Sequence, residues 1–293
     1  MSPPRRRLDV ELVRRGLLPS RERARSEIDA GRVTVGGAPA VKASRLVAPG
    51  EAVALDGPPP PYVSRGGKKL AAALDIFPVT VAGADALDAG ASTGGFTDCL
   101  LQAGAAHIHA VDVGRGQLHQ SLRAHPRVTV VERTNVRHLS LDALDRTGRP
   151  FSLVVADLSF ISLATVAPAL VGLAAPGADL IVLVKPQFEA GRVEADQGRG
   201  VISAPEVWRR VLMEAVGALG TAGAAMMGLM VSPLLGARGN VEFLAHLVAA
   251  APSGESGGVD GPALDPAVDA AVHAAISLRR ATTKGDSGGQ ARD

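Results

Sequence analysis

Lys69 in SRGGKKL, Asp157 in LVVADLSF, Lys185 in IVLVKPQFE and Glu242 in GARGNVEFL stand far apart in the chain. Each falls where an apolar run ends or a glycine-rich turn begins. Brought to one crevice, two lysines and two carboxylates would form a charge-compensated acid/base site. Runs such as Phe151–Ala156 and Leu180–Val184 read as buried parallel strands, too short for typical helices. In an open α/β sheet, residues just past the carboxyl ends of the strands line the ligand crevice. Taken singly, the four also read as unrelated strand-end charges held in water; the neighbouring glycine loop favours a site.

That loop is LDAGASTGGFTDCLL, Leu87–Leu101, between a strand and a helix. Gly90, Gly94 and Gly95 let the backbone turn tightly and approach a ligand. The spacing departs from G-x-G-x-x-G and no phosphate-loop lysine follows, so a pyrophosphate ligand is poorly supported. Asp88 beside the loop favours a cationic group. Asp112 ends the next strand, where an acid can accept hydrogen bonds from ribose hydroxyls, although it also reads as an ordinary turn residue. Together these features suit S-adenosyl-L-methionine, with its adenosine, sulfonium and amino-acid ends.

The elements that must position these residues alternate. Expected strands are Ala84–Leu87, Ile108–Val111, Val128–Val131, Phe151–Ala156, Leu180–Val184, Ala224–Met230 and Val241–Leu247. Helices such as Phe96–Ala103, Thr165–Leu173 and Glu206–Leu219 fall between them, the pattern of a doubly wound α/β domain. Ahead of it, PPPP at Pro58–Pro61 reads as a stiff linker after a compact α+β unit. That unit has a helix from Leu8 to Gly16, a second from Ser20 to Ala30, strands Arg32–Val35 and Glu51–Leu55, and a Gly36-Gly37 hairpin turn. The expected domains are residues 1–57, a linker at 58–63, a catalytic domain at 64–251 and a tail at 252–293. In the tail, residues 252–262 read as a flexible joint, Pro266–Arg280 as a short helix, and the last dozen residues as disordered.

The 293 residues are 46% hydrophobic and 20% charged, an ordinary globular composition. A single cysteine, Cys99, excludes an intramolecular disulfide and fits a reducing compartment. No apolar signal core follows Met1 and no stretch is long enough to span a membrane, so the expected location is cytoplasmic. Residues 1–56 hold 11 Lys/Arg against 7 Asp/Glu, a balance of +4, whereas residues 57–293 hold 20 against 22, a balance of −2. A basic head on a near-neutral body points to a polyanion. Candidate phosphate contacts are Arg5, Arg6, Arg7, Arg14, Arg15, Arg21, Arg23, Arg25, Arg32, Lys42 and Arg45, with Arg65 and Lys68 beside the active-site lysine. For each residue of the head, a merely solvated surface is the competing reading.

The motifs SRGGKKL, LDAGASTGGFTDCLL, VDVGRGQL, ERTNVR, VVADLSFISL, LVKPQFE and SPLLGARGNVEF closely resemble the TlyA family of rRNA ribose methyltransferases, which also carried the label haemolysin. The resemblance covers residues 5–250, and the first 56 residues resemble an alpha-L RNA-binding domain. It implies a Rossmann-like, FtsJ/RrmJ-type methyltransferase sheet, S-adenosyl-L-methionine as cofactor, and 2′-O-methylation of cytidine in rRNA of one or both ribosomal subunits. It also implies a link to capreomycin and viomycin susceptibility. The family's catalytic set falls on Lys69, Asp157, Lys185 and Glu242, with Lys68 as the alternative to Lys69. Candidate cofactor residues are Asp88, Gly90, Ser92, Thr93, Gly94, Gly95, Phe96, Asp112, Asn135 and Asp157.

A ribose 2′-hydroxyl is a weak acid and a poor nucleophile, so the protein must align it and help remove one proton. Lys185, held by Asp157, is the expected base; Lys69 and Glu242 would orient the hydroxyl and balance charge. Pro186 holds Lys185 extended. Methylation at a cytosine carbon would need a cysteine nucleophile, and Cys99 reads instead as core. Phe160 reads either as a base-stacking residue or as core. His107, His109, His119, His125 and His138 show no ligand spacing, so no metal is expected. A non-catalytic ribosome-assembly factor and a membrane-lysing protein are the competing classes.

Overall fold

A computed structural model describes residues 4–18, 20–57, 60–146, 148–191, 194, 196, 198–250 and 263–287. The chain divides into two compact units, 1–60 and 61–293. The expected linker lies partly, and the joint at residues 252–262 wholly, outside the described residues.

In the first unit, strand β1 (Arg6–Arg7) leads into helix α1 (Leu8–Arg14), followed by α2 (Arg21–Asp29). Ser20 caps α2 by accepting a hydrogen bond from the Arg23 amide. Strands β2 (Val33–Val35), β3 (Ala38–Pro39) and β5 (Val53–Leu55) form a three-stranded sheet, while β4 (Leu46–Val47) pairs with β1. Leu8, Leu12, Ala24, Ile28, Val33, Val35 and Val47 form its core.

The second unit holds a seven-stranded sheet. Its strands are β6 (Asp85–Ala89), β7 (His107–Val111), β8 (Val128–Val131), β9 (Phe151–Ala156), β10 (Ala174–Val184), β11 (Ala224–Val231) and β12 (Phe243–Ala249). The spatial order is β11-β12-β10-β9-β6-β7-β8, with β12 antiparallel to both its neighbours and the other pairs parallel. Strand order reverses between β6 and β9, so a crevice opens at their carboxyl ends. Helices α3 (Arg65–Ile76) and α4 (Gly95–Gln102) bury Leu70, Ala73, Phe96 and Leu100 on one face. The other face is covered by α6 (Leu163–Leu173), α8 (Pro205–Thr221) and α9 (Leu264–Ser287). Two short helices, α5 (Gln120–Arg123) and α7 (Pro186–Glu189), follow β7 and β10.

Two expectations change. SRGGKKL is not a turn but the start of α3, and Gly67 is there for space: a Cβ would lie 2.3 Å from the Tyr62 ring. The tail helix is longer than Pro266–Arg280. It runs Leu264–Ser287, so residues 282–287 are helical, and it buries Val268, Ala271 and Ala275 in the main core. Among the described residues, no helix is long and apolar enough to cross a membrane.

Candidate active site

A cavity of about 530 Å³ opens over the carboxyl ends of β6, β9 and β10. Its wall includes Lys69 from α3, Gly90, Ser92, Thr93, Gly95 and Phe96 from the glycine loop, and Asp157 and Lys185 from the ends of β9 and β10. At Gly90, with φ +86°, a Cβ would lie 2.6 Å from the Asp157 carbonyl oxygen, so only glycine lets the loop pass the end of β9.

The four dispersed residues form two ion pairs. Lys185 Nζ lies 2.5 Å from Asp157 Oδ1 and donates to Ser159 Oγ at 2.9 Å. Lys69 Nζ lies 2.5 Å from Glu242 Oε2, and both side chains are nearly buried. Glu242 precedes its strand instead of following it. It reaches the same crevice because β12 runs antiparallel, with Phe243 opposite Val184 of β10. Of the two adjacent lysines, Lys69 is buried and paired while Lys68 is exposed.

Asp112 accepts hydrogen bonds from the amides of Ser92 (2.8 Å) and Gly114 (2.7 Å). It lines a shallow adjoining pocket with Ala91, Gln117, Leu118 and Val130. A carboxylate has about four lone-pair positions, so Asp112 retains acceptor capacity. Asp88, Gly94 and Asn135 are absent from the walls of both cavities. Asp88 is fully buried beneath the loop, accepting from Thr97 Oγ1 at 2.6 Å with its other oxygen unpartnered. Burial, with repulsion from Asp157 and Asp112, pushes its carboxyl up to about 7. Gly94, with φ +97°, packs against Leu118 and Leu122. Asn135 caps a short 3₁₀ turn by accepting from the Arg137 amide.

Cys99 is core, its thiol pushed up to about 12 by burial, which leaves it unsuited to nucleophilic attack. Phe160 is not core: it is 90% exposed at φ +63°, an uncommon conformation for a bulky residue. Its ring sits 4.8 Å from that of Phe188, whose centroid is 5.8 Å from Lys185 Nζ. Burial holds the His109 imidazole down at about 4, and no metal-holding group of three His, Cys, Asp or Glu occurs among the described residues.

Ser64, Ser159 and Arg238 line the cavity without having been anticipated. Nor was Asn240, which is buried, accepts from the Ile202 amide and donates to the carbonyls of Gly200 and Ala237. Only Ser159, two positions after Asp157, carried a signal by proximity. Of the expected RNA contacts, Arg65 lines the cavity and donates to the Leu235 carbonyl. Arg5, Arg6, Lys42 and Lys68 are exposed. Arg7, Arg14, Arg21 and Arg25 are exposed too, but each is paired with a buried carboxylate, Asp9 or Glu11.

Comparison with known proteins agrees with this layout. The FtsJ-like methyltransferase family matches residues 62–248, and the S4 domain matches residues 6–53. The chain is similar to the 16S/23S rRNA (cytidine-2′-O)-methyltransferase TlyA of Mycobacterium tuberculosis, 50% identical over 244 residues, covering 83% of this chain and 90% of that protein. It is also similar to Hemolysin A of Brachyspira hyodysenteriae, 35% identical over 242 residues, covering 83% and 99%. A solved structure described as a hemolysin from Streptococcus thermophilus aligns with TM-score 0.74 and 36% identity over 96% of this chain and 99% of that one.

Proposed function

The chain belongs to the FtsJ-like methyltransferase family, and we propose that it transfers a methyl group from S-adenosyl-L-methionine to the ribose 2′-hydroxyl of cytidine in ribosomal RNA. The observation that carries this reading is the pair of lysine–carboxylate contacts at the same cavity as the glycine loop. The identity to a ribosomal cytidine-2′-O-methyltransferase supports the substrate. Cytoplasmic ribosomal subunits are the expected partners.

The residues present fit the cofactor. Gly90, Ser92, Thr93, Gly95 and Phe96 would hold it along the cavity, with Asp112 receiving ribose hydroxyls and Asp88, Gly94 and Asn135 shaping the loop and its surroundings. When bound, S-adenosylmethionine supplies an activated, electrophilic methyl group. The protein's work is then alignment and proton management. Lys185 Nζ, positioned by Asp157 and Ser159, takes the proton leaving the 2′-hydroxyl when it is in its neutral amine form, and the ammonium so formed is held by the Asp157 carboxylate. Lys69, neutralised by Glu242, orients the hydroxyl from its place in the wall of the same cavity. The exposed Phe160 ring, backed by Phe188, offers a face on which the target base can stack.

Single-turnover methylation with Lys185→Ala tests the assignment, with S-adenosylmethionine affinity measured separately. The expected loss in rate is roughly 10²- to 10⁴-fold with affinity retained; near-normal transfer removes Lys185 from the mechanism.

A further inference from the structure

The arginines of the N-terminal unit are of two kinds. Glu27 holds Arg23 and Arg32, whose side chains are only 18% and 21% exposed, while Glu11 holds Arg15 at 20% beside a single outward arginine, Arg14, at 49%. Apart from Arg14, those guanidiniums are largely folded into the domain. Asp9 differs. Its carboxylate is completely buried, yet it gathers three guanidiniums that stay 44% to 55% exposed: Arg7 from β1, and Arg21 and Arg25 from successive turns of α2.

The contacts leave hydrogen-bonding capacity outward. Arg7 engages Asp9 with Nε (3.0 Å) and Nη2 (3.2 Å), Arg21 with Nη2 alone (3.0 Å), and Arg25 with Nε alone (3.4 Å). Each guanidinium has five N–H donors, so Arg21 and Arg25 retain most of theirs. Three cations on one anion leave a net charge of +2 at one spot. Hydrogen bonds from Arg7 and Arg21 hold the Asp9 carboxyl well below the usual carboxylate range, so the anchor stays ionised.

We infer that Asp9 is the anchor of a preorganised phosphate-binding site, in which the guanidiniums of Arg7, Arg21 and Arg25 grip the backbone of the RNA substrate. The inference rests on the RNA-methylation reading and assigns an acidic residue a positive role in binding a polyanion. Without the anchor, three neighbouring cations repel one another and regain side-chain freedom, which must be lost again on binding. Removing a negative charge from this basic surface therefore weakens RNA binding, whereas charge counting alone predicts tighter binding.

The test uses the full-length protein and a fluorescently labelled rRNA hairpin, titrated at several salt concentrations. Asp9→Asn is expected to bind roughly tenfold more weakly and to show a shallower dependence on log salt, with circular dichroism and S-adenosylmethionine affinity unchanged. A folded Asp9→Asn protein that binds as tightly as the parent, or tighter, with the parental slope overturns the proposal. Should Asp9→Asn fail to fold, Arg21→Gln/Arg25→Gln carries the test, because both side chains are half-exposed. Its slope should fall by about 1.5, and unchanged binding with an unchanged slope overturns the proposal. Failure of the underlying reading looks different: the parent protein itself would bind RNA with a flat salt dependence.

Discussion

Replacing Glu242 with Gln leaves the nearly buried Lys69 ammonium without its partner at the cavity wall. At the observed 2.5 Å, the gross attraction between the two charges is roughly 7 kcal/mol for an effective dielectric constant near 20. Desolvation of both ions offsets most of that, so the pair is worth little relative to neutral residues, but losing one partner costs about 3–5 kcal/mol. For a unit of this size that corresponds to a fall in Tm of roughly 6–20 °C. The double variant Lys69→Met/Glu242→Gln removes both charges and should recover most of the loss. The chain's only tryptophan, Trp208, is buried with its ring centroid 6.3 Å from that of Phe243, the residue after Glu242. Its fluorescence therefore reports unfolding of the catalytic unit itself. A thermodynamic cycle over the four proteins should show a coupling of at least ~2 kcal/mol. The double variant should be stable yet inactive. If the two single losses simply add, the buried pair is not the coupled unit described above.

Asp88 should make stability depend on pH. Its carboxyl sits near 7 when folded, against an ordinary aspartate value of 3.8. The unfolded chain thus releases this proton first, and stability falls as pH rises from about 4 to 7, by up to about 4 kcal/mol. Measured by urea unfolding, Asp88→Asn should gain on the parent across that window, and a pH-independent difference would count against the burial argument. Phe160→Ala should raise KM for RNA roughly 5- to 150-fold, the range of one base-stacking contact, without altering cofactor affinity or Tm; an unchanged KM would return Phe160 to an ordinary surface role.

Much of the layout of the crevice was legible because buried parallel strands are continuous apolar runs. Phe151–Ala156 and Val128–Val131 begin and end where their composition says, and Asp157 and Lys185 follow directly from such ends. The start of α3 was hidden because Gly66-Gly67 reads locally as a turn, while the reason for Gly67 is the Tyr62 ring packed against it. Glu242 was found for an incomplete reason: it leads its strand, and only the antiparallel direction of β12 delivers it to the crevice. Arg238 and Asn240 act through contacts that no spacing encodes, and Ser159 was signalled only by its place two residues after Asp157. The basic head was visible as charge, but its sorting by Asp9, Glu11 and Glu27 depends on which carboxylates the fold buries.

The most direct test of the catalytic reading is nucleoside mass spectrometry of ribosomal subunits incubated with the purified protein and S-adenosylmethionine. The expected product is 2′-O-methylcytidine, formed by the parent protein and not by Lys185→Ala. A methyl group on the cytosine ring or its exocyclic amine, or equal 2′-O-methylation by both proteins, would contradict it.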